Sequence, residues 1–343
     1  MLESNLTTPQ PTDEDRVAEK SLRPNNLGEF IGQEEVVANL LVFVQSAKRR
    51  QQALDHVILF GPPGLGKTTL AYIIAKELNV NIKTSSGPVL DRPADLAGIL
   101  TNLQERDVFF VDEIHRMNSS VEEYLYSAME DYRIDIMLDK GPNSRTIQLS
   151  LAPFTLVGAT TRMGNLTSPL RERFGVILRL DFYTAANLKE IIVRSAELLE
   201  ITIDGDAADQ FARRSRGTPR IANRILRRAR DFAEVEGSGH LDLAMARQAL
   251  ERLGIDETGL DDMDRRILTC LVKTFGGGPV GVESLAVALH ETSRTIEEVY
   301  EPYLIKEGFL QRGQRGRVAL ERAYSYLDVE PPLKEKARQQ PLF

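Results

Sequence analysis

The chain has 343 residues, 42% hydrophobic and 27% charged, close to ordinary globular usage, which leaves room for two or three domains of about 100 to 200 residues each. No apolar run approaches the roughly 20 residues of a membrane helix, the first residues lack the apolar core of a signal peptide, and the single cysteine, Cys270, excludes an intrachain disulfide or a cysteine-built zinc site, so a cytoplasmic protein is expected. A net charge of -7 excludes blanket attraction to nucleic acid, so any DNA contact must be local.

Residues 1–20 are rich in Pro, Thr, Asp and Glu and lack apolar periodicity, which predicts a disordered, solvated tail. From there to residue 182, short apolar runs at 57–60, 108–111 and 155–157 alternate with amphipathic stretches at 36–47 and 68–78. Buried strands separated by helices predict a parallel sheet covered on both faces. The segment Gly61-Pro-Pro-Gly64-Leu-Gly66-Lys67-Thr68 fits the pattern G-x-x-x-x-G-K-[ST], which arises by chance in about one chain in a hundred of this length. A strand runs into it and a helix leaves it. In that context its glycines let backbone N–H groups curl round phosphate oxygens, Lys67 reaches the β and γ phosphates, and the Thr68 hydroxyl can ligate Mg2+. The competing reading is a glycine-rich turn before an ordinary helix.

The run Val108-Phe-Phe-Val111 ends in Asp112-Glu113. A parallel strand delivers its C-terminal residues to the ligand crevice, so Asp112 is expected beside the metal and Glu113 near an attacking water as general base. Alone, the pair could equally be a helix cap. A third strand ends at Thr160-Thr161-Arg162, where a hydroxyl could contact the γ phosphate, although threonines are common at strand ends. Between these strands, 133–139 and 145–149 alternate apolar and polar residues around a turn, a β-hairpin signal. Such a hairpin could pack on its own domain or carry a partner. Arg171 and Arg173 follow a turn that begins with Pro169, and they read either as a solvated helix face or as arginines offered to a neighbouring subunit's nucleotide.

Strand signals stop near Tyr183, and residues 183–254 are expected to be helical throughout. Eight arginines lie among residues 213–230, most of them expected to be solvated or subunit-facing. Residues 254–260 read as a polar, glycine-bounded linker. In 255–343, helices at 262–275, 282–290 and 293–306 precede two short strands around Gly313-Gln-Arg-Gly316, the winged-helix order, and Pro302 predicts a kink. Ile296, Val299, Tyr300, Tyr303 and Leu304 share a core face, and Cys270 is expected to be a small buried side chain. Around the wing, Lys306, Arg312, Arg315, Arg317 and Arg322 outnumber Glu307 and Glu321, which suits phosphate contacts. Winged helices also bind proteins. The four histidines, His56, His115, His240 and His290, show no metal-ligand spacing and read as ordinary.

GPPGLGKT, VFFVDE, GATTR, LRERFG and GTPR, in that order, resemble the AAA+ ATPases. Leu22-Arg23-Pro24, the hairpin after Glu130-Asp131-Tyr132, Phe275-Gly-Gly-Gly-Pro-Val280 and Glu301-Pro-Tyr-Leu-Ile305 narrow the resemblance to the RuvB family, over about residues 20 to 327. The resemblance implies an α/β fold: an AAA+ P-loop parallel-sheet domain at 21–182, a helical lid at 183–254 and a C-terminal winged helix at 255–343. It implies that Leu22 and Arg23 contact the adenine side, that Gly64, Lys67, Thr68 and Thr69 hold the phosphates, and that Glu130, Asp131, Tyr132 and Tyr183 complete the pocket. Thr160 matches a sensor, Arg173 an arginine finger acting on a neighbour's ATP, and Arg220 a sensor in the lid. Arg294, Arg312 and Arg317 are the implied DNA contacts. Ile136, Leu138 and Ile147 are the implied docking residues for the junction-binding partner RuvA. The function implied is ATP- and Mg2+-dependent branch migration of Holliday junctions in recombination and repair, by a homohexameric ring working with RuvA and the resolvase RuvC. A nucleotide-switched initiator or regulator that is not a motor shares all these motifs, and a protein-remodelling machine shares most of them.

Overall fold

The structure is a computed structural model that describes residues 5–7, 21–137 and 146–331. It divides into two compact units, one over residues 13–191 and the other joining residues 1–12 to 192–343.

The first unit is built on five strands, β1 (Val57–Phe60), β2 (Ile82–Ser86), β3 (Val108–Asp112), β6 (Thr155–Thr160) and β7 (Val176–Arg179), in the order β2-β3-β6-β1-β7. All four pairings are parallel. Strands β1, β3 and β6 are buried almost from end to end, as expected of central strands covered on both faces. Helices Glu34–Arg50, Lys67–Leu78, Pro93–Leu100 and Ser119–Asp131 connect and cover them. Because the strands are parallel, every strand end that follows an apolar run opens on the same edge of the sheet, and every strand start on the opposite edge. A four-residue strand separates these edges by about 13 Å.

His56 belongs to the core. At the start edge its Nε2 donates to the Met129 carbonyl (3.0 Å), and its Nδ1 accepts the Leu156 N–H (2.9 Å). Burial pushes its pKa below the ordinary histidine value, and the acceptor role of Nδ1 requires the neutral ring.

The predicted hairpin is present as β4 (Arg133–Met137) and β5 (Thr146–Ser150), paired antiparallel with Ile134 opposite Leu149 and Ile136 opposite Ile147. Ile147 and Leu149, two residues apart on β5, share one face of the ribbon. At the base Ile134 is fully buried and Leu149 packs on the core, whereas Ile147 is 44% exposed. The base thus packs on its own domain and the apolar stripe continues into solvent. Leu138 lies outside the described residues.

In the second unit, helices Ala185–Leu198 (which begins in the first unit), Gly205–Arg214, Pro219–Glu236 and Leu243–Arg252 form the bundle expected from sequence. Two short strands, β8 (Thr202–Ile203) and β9 (His240–Leu241), pair in parallel, so the segment is not helical throughout. Two-residue strands leave too short a pattern for periodicity to reveal. Nor is residue 5–7 part of a solvated tail: Leu6 and Thr7 are buried, and the Leu6 carbonyl accepts from Arg224 (3.1 Å). One leucine in a polar stretch carries no periodic signal.

The winged helix follows the predicted order, with strands β10 (Leu310–Gly313) and β11 (Gly316–Ala319) forming the wing. Cys270, Tyr300 and Tyr303 lie in its core. The disturbance expected at Pro302 appears as a wider, π-helical turn at Ile296–Tyr300 before the last helical segment Glu301–Lys306, because proline cannot donate the hydrogen bond of a regular turn.

Residues 254–260 are packed rather than a loose linker. Ile255 and Leu260 are buried, and Arg216, 3% exposed, lies against the start of the winged helix. Its guanidinium donates to Gly259 O (3.0 Å), pairs with Asp264 and with Asp261 (3.2 Å), and stacks on Tyr303 at 4.8 Å. Burial pushes the Asp264 carboxyl up to about 7 against the pull of Arg216. Arg216 and Arg224 are thus internal, two exceptions in a stretch whose arginines are expected to be mostly solvated or subunit-facing. Composition could not single them out, because buried and exposed arginines look alike in sequence.

Candidate nucleotide site and DNA surface

The loop 61–66 leaves the end of β1 and enters the helix Lys67–Leu78, so unpaired N–H groups at the start of the helix face the loop. Gly61, Gly64 and Gly66 all have positive φ. A Cβ on Gly61 would meet Leu180 O at 2.2 Å, which only glycine avoids. Lys67 is 7% exposed, and its ammonium donates to the carbonyls of Gly61 and Pro62, both at 2.8 Å. Thr68 and Thr69 follow in the first helical turn.

The loop is fixed from outside by residues the motif does not contain. Tyr183, 7% exposed, donates its hydroxyl to Leu65 O (3.1 Å), and burial pushes its phenol pKa up. The Phe30 ring stands 3.2 Å from where a Cβ on Gly66 would be. Leu22 is buried, and Arg23 stacks on Tyr72 at 4.2 Å. In the sequence Phe30 is a lone aromatic and carries no spacing signal.

Asp112 ends β3 and Thr160 ends β6, so both open on the same edge as the loop; Thr160 is the register partner of Phe60, the residue before the loop. Asp112 Oδ1 accepts the Glu113 N–H (2.9 Å). Glu113 has left-handed backbone (φ 48, ψ 43) and opens a short helical turn at Ile114–Arg116. Non-glycine residues in that region concentrate at functional sites. His115 is not ordinary: its Nδ1 lies 2.9 Å from Thr160 Oγ1 and its Nε2 3.5 Å from Glu113 Oε2.

Arg173 stands on the other edge of the sheet. It lies three residues before β7, whose first N–H, that of Val176, donates to His56 O (3.1 Å) at the start of β1. Its guanidinium donates to Pro169 O (2.7 Å), pairs with Glu130 (3.1 Å) and stacks on Tyr126 at 4.6 Å. Tyr126 in turn donates to Glu122 (2.6 Å). Glu122, Tyr126 and Glu130, four residues apart, form one stripe of the helix Ser119–Asp131 that cradles Arg173, and this i, i+4 spacing is the signal for it in the sequence.

This placement corrects the expected pocket. Glu130, Asp131 and Tyr132 do not lie beside the chain's own loop. The adjoining Met129 carbonyl meets His56 at the start edge, Asp131 pairs with Arg133 (3.0 Å), and Tyr132 packs edge-on against Phe154. Arg220 occupies the first turn of the helix Pro219–Glu236 in the other unit.

The three expected DNA contacts differ in exposure. Arg294, at the start of the third helix, and Arg312, on the wing, are 60% and 58% exposed, and each pairs with one glutamate, Glu298 (3.0 Å) and Glu297 (3.2 Å). Arg315 at the wing turn is exposed. Arg317 is 5% exposed, and its guanidinium is held by Glu301, itself 2% exposed, and by Glu297 (2.8 Å). Arg317 is thus a strut between wing and helix rather than a phosphate contact. Alternation along β11 turns it inward, which residue counting around the wing could not show.

Replacing Arg317 with methionine should leave Glu301 buried and unpaired, weakening the winged helix by about 3 to 5 kcal/mol. Faster hydrogen exchange over 293–319 would register the loss. Arg312→Ala should leave that exchange unchanged while lowering the salt dependence of DNA binding by about one ion.

Three family models match in succession: the P-loop domain of the Holliday junction DNA helicase RuvB over residues 22–180, the RuvB AAA lid domain over 183–256, and the RuvB C-terminal winged-helix domain over 257–328. The Holliday junction branch migration complex subunit RuvB of Salinibacter ruber is 61% identical over 322 residues, covering 94% of each chain. That of Myxococcus xanthus is 58% identical over 319 residues, covering 93% of each. The solved Thermotoga maritima RuvB Holliday junction branch migration motor superposes with a TM-score of 0.82 at 51% identity, covering 91% of this chain and all of that one. With P-loop, lid and winged helix matched in order and the similarity running over nearly the whole length, the chain belongs to the RuvB family.

Proposed function

We propose that the chain is the ATP-driven motor of Holliday-junction branch migration, hydrolysing ATP at sites shared between neighbouring subunits of a ring, six in the family pattern. The observation that supports the shared site is the division of the chemistry between two edges of one sheet. Lys67, Asp112, Glu113 and Thr160 stand at the strand ends, and Arg173 stands about a strand length away at the strand starts. An arginine so placed cannot serve its own nucleotide, but a head-to-tail neighbour brings it to the next one.

In this reading Lys67 and the loop N–H groups hold the phosphates, while Leu22, Arg23 and Tyr183 border the base. By the family resemblance Arg220, in the first turn of its helix, is the candidate sensor of the lid. Thr68 and Asp112 suit Mg2+: a hydroxyl and a carboxylate are the hard oxygen donors that ion takes, alongside phosphate oxygens and water. The bound ion would neutralise charge on the β and γ phosphates. Glu113 accepts the proton of the attacking water, and Thr160 donates to the γ phosphate. Arg294, Arg312 and the wing turn meet DNA phosphates, which positions duplex without reading its sequence. The exposed Ile147 docks RuvA, with Ile136 and Leu138 joined to it by the family resemblance alone; RuvC acts with the assembled complex in the cytoplasm.

The test follows a synthetic four-way junction with ATP and magnesium, with and without RuvA, comparing the intact chain with Lys67→Ala. Separation of the arms by the intact chain alone, stimulated by RuvA, is the expected result. ATP hydrolysis that leaves the junction whole under every condition would favour a nucleotide-switched DNA-binding protein instead.

A further inference from the structure

His115 lies two residues beyond Glu113, and the left-handed turn at Glu113 brings its ring back over the strand ends. The turn is pinned from below, since Gly87 approaches so closely that a Cβ there would meet Glu113 O at 2.4 Å. The His115 side chain is 7% exposed and Thr160 is fully buried. With a neutral ring, the contacts among them favour one order. His115 Nε2 lies 3.5 Å from Glu113 Oε2, within ion-pair range, and because a carboxylate only accepts, a neutral ring meets it favourably with the proton on Nε2. Nδ1 is then an acceptor, and the Thr160 hydroxyl, 2.9 Å away, donates to it. The same Thr160 oxygen accepts the Arg162 N–H at 3.0 Å, leaving its one proton for the ring.

We propose that His115 is a positioning residue that ties the carboxylate of Glu113 to the hydroxyl of Thr160. A γ-phosphate oxygen that draws the Thr160 hydroxyl shifts the ring and, through Nε2, the carboxylate. The base is then aligned only when Thr160 has engaged the nucleotide. No proton changes owner in this step. The proposal rests on the reading of Glu113 as base and Thr160 as γ-phosphate contact.

The experiment is a double-mutant cycle on ATP turnover by the full chain with duplex DNA, using wild type, His115→Ala, Thr160→Val and the double variant, with kcat and KM measured separately. A link predicts that His115→Ala lowers kcat on the order of ten- to a hundredfold with KM for ATP nearly unchanged, and that the double variant is no slower than the slower single one. Losses that multiply in the double variant would overturn the link, as would a change confined to KM. If His115→Ala does not assemble, His115→Gln takes its place in the cycle. Glutamine matches the reach of the ring and offers an N–H toward Glu113, but presents no acceptor where Nδ1 stands, so it too must lose its dependence on Thr160. Glu113→Gln is run in parallel: normal turnover in that variant defeats the base reading itself, whereas its loss together with multiplicative behaviour at 115 and 160 defeats only the link.

Discussion

Arg173→Ala is expected to bind ATP normally and to lose turnover by about three to five orders of magnitude, the range an arginine finger contributes in phosphoryl transfer. The reason is positional. Glu130, Pro169 O and Tyr126 hold the guanidinium at the strand starts, on the edge opposite Lys67. The sharper form of the prediction mixes two inactive variants. A ring containing both Lys67→Ala and Arg173→Ala subunits regains a working site wherever an Arg173→Ala subunit's intact loop faces a Lys67→Ala subunit's intact finger. In a head-to-tail ring with random neighbours, an equal mixture should recover roughly a quarter of the sites. Steady-state phosphate release from the mixture, against each variant alone, decides it; a mixture as inactive as its components would mean that finger and loop do not combine across subunits. Removing Glu130 should have a smaller effect, because it orients Arg173 without contacting phosphate.

Glu113→Gln is expected to retain ATP and to slow hydrolysis by about two to four orders of magnitude, the contribution of a positioned general base. Glutamine keeps the shape and the acceptor oxygen that faces His115 but has no carboxylate to take a proton. Lys67→Ala should differ in kind. Its ammonium is the buried cation of the loop, so its loss weakens nucleotide binding itself. Equilibrium binding of a fluorescent ATP analogue beside single-turnover hydrolysis separates the two. Weakened binding in Glu113→Gln would assign that side chain to holding the nucleotide instead.

Much of this was open to a reader of the sequence, for local reasons. The P-loop is contiguous, and its glycines, lysine and threonine are needed within eight residues because one turn and one helix start make the whole phosphate cradle. The parallel sheet announces itself because central strands covered on both faces must be apolar throughout. The winged helix follows from the order of its helices and hairpin. Whatever depended on which way a side chain points was hidden. Arg312 and Arg317 look equivalent in sequence, yet one is solvated and the other is locked between Glu297 and Glu301. Arg216 looked like one of a crowd and is the buried tie to Asp264.

Glu130–Tyr132 shows the same limit on a larger scale. The chain-order resemblance joined these residues to the loop's pocket, and the sheet sets them a strand length from it. His115 carried no spacing signal at all, because its partners are a residue two away through a left-handed turn and a threonine forty-five away at the end of another strand. Sequence by itself determined the fold class, the phosphate loop and the order of the domains, because backbone conformation and apolar periodicity are set by neighbours along the chain. Tertiary structure alone decided which edge of the sheet each charge occupies, which arginines are struts, and that His115 lies between Thr160 and Glu113, because burial and ion pairing are settled between residues the chain keeps far apart.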